Sequence, residues 1–150
     1  MNDSDRIERH RGWIAGLLVV LAAPQALIGL WALFAPHNFY ENFGLGGDPW
    51  VKVLGAYDEH LVRDVGSLFC ALALVMIVAA VRGQRSLSYV AAAAWLTFAV
   101  PHAIYHFFNL GPYSTGDAIA NVITIGWTVV GGLIVLWLLR DSARVETASR

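Results

Sequence analysis

A chain of 150 residues, 57% hydrophobic and only 14% charged, with a mean hydropathy of +0.57, is too apolar for an ordinary soluble domain. Its formal net charge of −1 carries no basic patch beyond short arginine clusters beside apolar runs, so composition does not point to nucleic acid as a partner. The single cysteine, Cys70, excludes an intramolecular disulfide and any CxxC redox or zinc motif, and reads as a small packing residue.

The first apolar run, 12–34, has the roughly 20 residues that cross about 30 Å of hydrocarbon and lacks a small-residue cleavage site, so it is expected to be a retained span. Pro24 falls inside it and leaves the carbonyl of Val20 without its helical donor, which predicts a kink. The connection 36–59 follows, with turn signals at Gly44, Gly46, Gly47 and Asp48-Pro49 among Phe39, Tyr40, Phe43, Trp50 and Tyr57. A connection this long and aromatic is expected to lie on the membrane interface, either as a cap or as an aromatic belt. Further runs at 61–81, 87–108 and 118–139 complete a set of four, and Pro101 in the third repeats the kink signal at Thr97.

Arginines flank these runs on one side only. Arg6, Arg9 and Arg11 precede the first, Arg82 and Arg85 separate the second from the third, and Arg140, Arg144 and Arg150 follow the fourth. The other connections hold only Lys52 against Glu41, Asp48, Asp58 and Glu59, and Asp117 alone. The positive-inside rule then predicts a multi-pass protein of the cell membrane with both termini cytoplasmic. In lipid each span must satisfy its own backbone bonds, so residues 1–150 are expected to form one all-α domain, an antiparallel four-transmembrane-helix bundle, N-in and C-in. Gly29, Gly66, Gly126, Gly131 and Gly132 allow close helix approach, within one chain or between copies in a homo-oligomer.

Two polar fragments interrupt the apolar pattern. The second run enters from outside beside Glu59, His60, Arg63 and Asp64; the third leaves to the outside through His102, Tyr105 and His106. At 1.5 Å per residue, Asp64 lies about 6 Å inside the start of its helix and His102 about 9 Å before the end of its own, so both fragments reach the outer leaflet. His37 follows the outer end of the first helix, and Asp117 and Asn121 open the fourth at the same level. Spacings of three and four put His60, Arg63, Asp64 and Ser67 on one stripe. A second stripe holds Trp95, Phe98, His102, Tyr105, His106 and Asn109, and a third Asp117, Asn121, Thr124 and Thr128. Because ionisable groups facing lipid are costly, all three stripes are expected to face inward and form a polar chamber under the 36–59 segment.

Several chemistries fit such a chamber. His60 with Asp64 and His102 with His106 are i, i+4 pairs that suit one zinc, iron, copper or manganese ion, with Glu59 or Asp117 beside it. That set describes a metal-assisted enzyme or oxidoreductase acting on a small lipophilic molecule. Without metal, Glu59, Arg63, Tyr105, Asp117 and Asn121 join the histidines as acids, bases and hydrogen-bonding groups of an isomerase, cyclase or hydrolase. Haem between His60 and His102 or His106, or a quinone bound by histidine and tyrosine, describes electron transfer. A buried ionic network that only fixes helix order is the alternative without chemistry.

Over roughly residues 53–140, and most specifically in YDEHLVRDVGSLFCALAL and WLTFAVPHAIYHFFNLG, the chain resembles small bacterial four-helix membrane proteins of the DoxX-like kind. The resemblance implies the four-span fold and a link to quinone-coupled oxidation; it implies no role for an individual residue.

Overall fold

A computed structural model describes the backbone of residues 3–148 and the side chains of residues 10–141. Its helices are α1 (Asp3–Phe34), α2 (Pro36–Asn42), α3 (Glu59–Arg82), α4 (Arg85–Phe108) and α5 (Thr115–Ala148), with a single 3₁₀ turn at Lys52–Leu54. Four segments are long and apolar enough to cross a membrane: His10–Phe34, Glu59–Arg82, Arg85–Phe108 and Thr115–Asp141. Each extends past its apolar run, because helical hydrogen bonding continues into the interface. Arg6, Arg9 and Arg144 lie where no side chain is described, and Arg150 lies outside the described residues.

Local chemistry sets the ends of α3. The Asp58 carboxylate accepts a hydrogen bond from the Leu61 N–H at 3.1 Å and caps the helix start. Glu59 in the first turn and Arg82 in the last complement the helix dipole, and Gly83 at φ 61° makes the left-handed C-terminal turn. α1 and α4 continue without interruption past Pro24 and Pro101.

The four long helices form a ring in the order α1, α3, α4, α5, with the most extensive contacts between α1 and α3 and then between α4 and α5. Small residues explain the closeness of the first pair. A methyl group built on Gly29 would sit 2.9 Å from the Gly66 carbonyl oxygen, and one on Gly66 only 2.7 Å from the Leu33 nitrogen. Gly131 and Gly132 are likewise filled from within the chain, against Leu21 and against Leu96 and Trp95.

The two halves of the bundle differ. Toward the termini, Leu18, Met76 and Val135 are fully buried in one continuous core. In lipid such a core is held by dispersion contacts between close-packed side chains rather than by escape from water. Arg85 donates to the Leu139 carbonyl through Nε and Nη2 at 3.1 and 3.0 Å, and His10 lies 3.6 Å from Asp141, which closes this end. Trp13, Tyr89 and Trp137 are exposed here on three helices, as interfacial aromatics are. At the other end the four long helices line a space that residues 39–58 also border.

Candidate functional site

The segment 36–58, or roof, is folded. α2 continues almost directly from α1, with the Ala35 N–H donating to the Trp31 carbonyl and Pro36 at the first helical position. Phe39, Tyr40 and Trp50 are buried, and the Tyr40 hydroxyl donates to the Gly55 carbonyl at 2.8 Å. Lys52 reaches Glu41 at 2.5 Å, and that hydrogen bond and charge raise the lysine pKa. Tyr57 is packed edge-on against His37 with ring centroids 5.1 Å apart, and burial, followed by the Glu59 charge, raises its pKa.

Asp117 holds this roof to the bundle. Its carboxylate accepts from the Asp48 N–H at 2.9 Å, the Trp50 indole at 2.8 Å and the Ser114 hydroxyl at 2.7 Å. Asp48 reciprocates by accepting from the Ser114 N–H at 2.7 Å. The Tyr113 hydroxyl donates to the Trp50 carbonyl at 2.9 Å, and burial pushes its pKa up to about 12. Gly47 is required here, since any side chain would run into the Asp117 carboxylate. Asp117, expected among the catalytic groups, does not line the cavity; three of its acceptor positions hold the roof.

Beneath the roof lies a cavity of about 690 Å³ reached by all four long helices. That volume falls in the range of small-molecule sites, about 300–1,000 Å³. Its walls are mostly aliphatic and aromatic, including Phe69, Phe98 and Trp127. Trp95 is fully buried at its base, where the indole donates to the Thr128 carbonyl at 2.9 Å.

The polar stripe of α4 faces this space as expected. His102 stacks on Phe98 with centroids 5.0 Å apart, and its ring meets that of His106 edge-on at 4.5 Å. Tyr105 lines the cavity at the rim and is half exposed. Asn121 of α5 is completely buried on the cavity wall beside His106. Gln25 of α1, also buried, reaches the same cavity, although the sequence reading gave it no role. It was findable, being the only amide or ionisable side chain between residues 12 and 34. Gln25 Oε1 is buried with no hydrogen-bond partner among the described residues, and His106 and the Asn121 amide, which lie side by side, make no well-aligned hydrogen bond through His106 Nδ1 or either amide atom. Buried polar atoms are usually paired, so their convergence on one apolar cavity is what a ligand site requires.

The stripe of α3 corrects the expectation. His60 and Asp64 have side chains 87% and 62% exposed and form their own pair at 3.4 Å on the outside of the bundle. At about 100° per residue, Val62, Gly66, Phe69 and Ala73 share the buried face, and His60, Asp64 and Ser67 lie roughly 130–170° away from it. Contact between Gly29 and Gly66 fixes that rotation. Arg63 lies between the two faces: it pairs with Glu59 at 2.9 Å and donates to the Leu33 carbonyl, an otherwise unmatched group in the last turn of α1. Glu59 and Arg63 thus join α3 to α1 and do not line the cavity.

His60, Asp64, His102 and His106 are consequently not brought together, and no group of three or more potential metal ligands occurs among the described residues. The haem axis expected from His60 to an α4 histidine is not formed either, since His60 points away from the bundle. The space is instead a largely apolar chamber whose polar lining comprises two imidazoles, two amides, threonine and tyrosine side chains, and Asp58. In comparisons with known proteins the chain matches no family model, no curated protein and no solved structure.

Proposed function

We propose that this is a multi-pass protein of the cell membrane, with both termini cytoplasmic, that holds a small lipophilic molecule in its outer-leaflet cavity and acts on that molecule's polar head by metal-free proton transfer. The arginines at both termini and in the 82–86 turn support the orientation, because they mark the end of the bundle opposite the roof. The observation that supports the reading is that Gln25, His106 and Asn121, three residues with buried polar atoms that make no hydrogen bond, all line a cavity with aromatic walls.

In this reading the apolar walls bind the body of the molecule, and Asn121 and Gln25 hold its head in a fixed orientation by hydrogen bonds. His106 Nδ1 exchanges a proton with the head, and His102, stacked on Phe98 and touching the His106 ring, fixes that ring's position. The roof latch at Asp117 keeps water from the reacting end. Full-length protein purified in mild detergent should release a lipophilic compound on organic extraction, identified by mass spectrometry. His106→Gln should retain it, and Asn121→Leu should lose most of it. A wild-type protein that carries no such compound and binds none from a membrane lipid extract would refute the reading.

A further inference from the structure

We propose that the molecule held in the cavity is an uncharged lipophilic alcohol, taken sideways from the outer leaflet between α3 and α4, and that Asn121 and Gln25 select its hydroxyl head against a carboxylate. This rests on the reading of the cavity as a lipophile site.

The charges around the cavity are committed elsewhere. Arg63 is held by Glu59 and the Leu33 carbonyl, Lys52 by Glu41, and Asp117 by the roof. Asp58 reaches the rim, where its carboxylate caps α3. Among the described residues no lysine or arginine lines the cavity. An ionised carboxylate or phosphate buried there would have no cationic partner, and such a burial is strongly unfavourable.

The unpartnered atoms narrow the head further. Gln25 Oε1 and Asn121 Oδ1 are acceptors that need a donor, and Asn121 Nδ2 is a donor that needs an acceptor. His106 Nδ1 takes either role according to its tautomer. A hydroxyl supplies a donor and two lone pairs from one atom and satisfies both kinds of group. A ketone or aldehyde supplies no donor and leaves the two amide oxygens unmatched.

The route follows from the helix contacts. The roof is pinned to the bundle on the α5 side through Asp117 and Tyr113. Of the neighbouring long-helix pairs, α3 and α4 touch least, because Gly29 and Gly66 draw α3 against α1. Phe69 and Phe98 close that seam at mid-depth with an edge-on contact at 5.0 Å. Nearer the roof, Leu61 and Tyr105 line the cavity and are also 60% and 52% exposed, which leaves the seam thinly covered there.

The test uses the full chain in lipid nanodiscs at about pH 9, where a fatty acid is ionised. Quenching of tryptophan fluorescence is titrated with a dibrominated long-chain alcohol and with the dibrominated acid of the same chain. Trp95 at the cavity base reports occupancy. The alcohol should quench saturably, with a half-saturation at least about tenfold lower than the acid's, the ratio expected when a buried group loses its hydrogen bond or gains an unpaired charge. Asn121→Leu should raise the alcohol's value about tenfold and leave the acid's unchanged. Val65→Trp, which adds bulk on the α3 side of the seam, should slow the onset of quenching. Equal or tighter binding of the acid would overturn the head-group assignment and leave the lipophile site standing. Saturable quenching by neither probe would overturn both.

Discussion

Asn121→Leu separates a ligand-binding amide from a structural one. Asn121 is completely buried beside His106, and neither of its amide atoms makes a well-aligned hydrogen bond. An unsatisfied buried polar group costs about 1–3 kcal/mol, and leucine removes both atoms at similar side-chain length. Its extra bulk opposes part of that gain, about 1 kcal/mol if the wall must adjust, although the adjoining cavity gives the branch room. The net expectation is a variant about 1–2 kcal/mol more stable than the parent. For a chain of this size that corresponds to a rise in Tm of about 3–6 °C. Thermal unfolding of both proteins in the same detergent, followed by tryptophan fluorescence, measures it directly. The same variant should bind the lipophile about tenfold more weakly, so that stability and binding move in opposite directions. A fall in Tm of 2 °C or more would refute the reasoning, because it would make Asn121 a partner in a structural network whose loss leaves other groups unmatched.

Removing the roof latch with Asp117→Ala takes the acceptor from the Asp48 N–H, the Trp50 indole and the Ser114 hydroxyl. At about 1 kcal/mol for each bond, the roof should lose about 3 kcal/mol of local stability. Hydrogen exchange should then accelerate through residues 44–56 while α1 and α3 keep their protection; an unchanged roof would contradict the latch. Gly66→Ala should destabilise the α1–α3 pair by about 1–3 kcal/mol, because the added methyl meets the Leu33 backbone. Gly126→Ala should be nearly neutral, its closest neighbour being Phe107 at 3.9 Å. Parallel thermal melts of the two variants decide the point. Tyr113 has its pKa raised from 10.0 to about 12 by burial, so its contribution is complete below about pH 10 and is lost as pH rises toward 12. Tyrosinate absorbance should show a group titrating toward pH 12 that Tyr113→Phe removes, and roof exchange should rise over the same interval; ionisation of Tyr113 near pH 10 would contradict its burial.

Much of the site was legible before folding. His102 and His106 are one helical turn apart in a run that leads out of the membrane, and Asn121 opens the next run, so helix periodicity and antiparallel direction bring the three to one level. The same rule failed for His60 and Asp64. Polarity alone was taken to orient α3, whereas the opposite stripe of Val62, Gly66, Phe69 and Ala73 can approach α1 far more closely. At the membrane end of a helix, polar side chains reach the interface, so facing outward there costs much less than it would at mid-depth. Gln25 carried a readable signal as a lone amide beside Pro24, but nothing local tied it to a site on three other helices.

Sequence by itself determined the four spans, their alternation and the all-helical class, because a bilayer leaves an apolar run of about 20 residues no other way to satisfy its backbone. It also determined the pairing of Glu59 with Arg63, whose geometry is set within one turn of helix. Tertiary structure decided the rest. The rotation of α3 came from a glycine contact between helices 37 residues apart in sequence, Gly29 with Gly66. The role of Asp117 came from Asp48 and Trp50, 69 and 67 residues away. Which polar atoms remain without partners is known only once every other donor and acceptor has found its place.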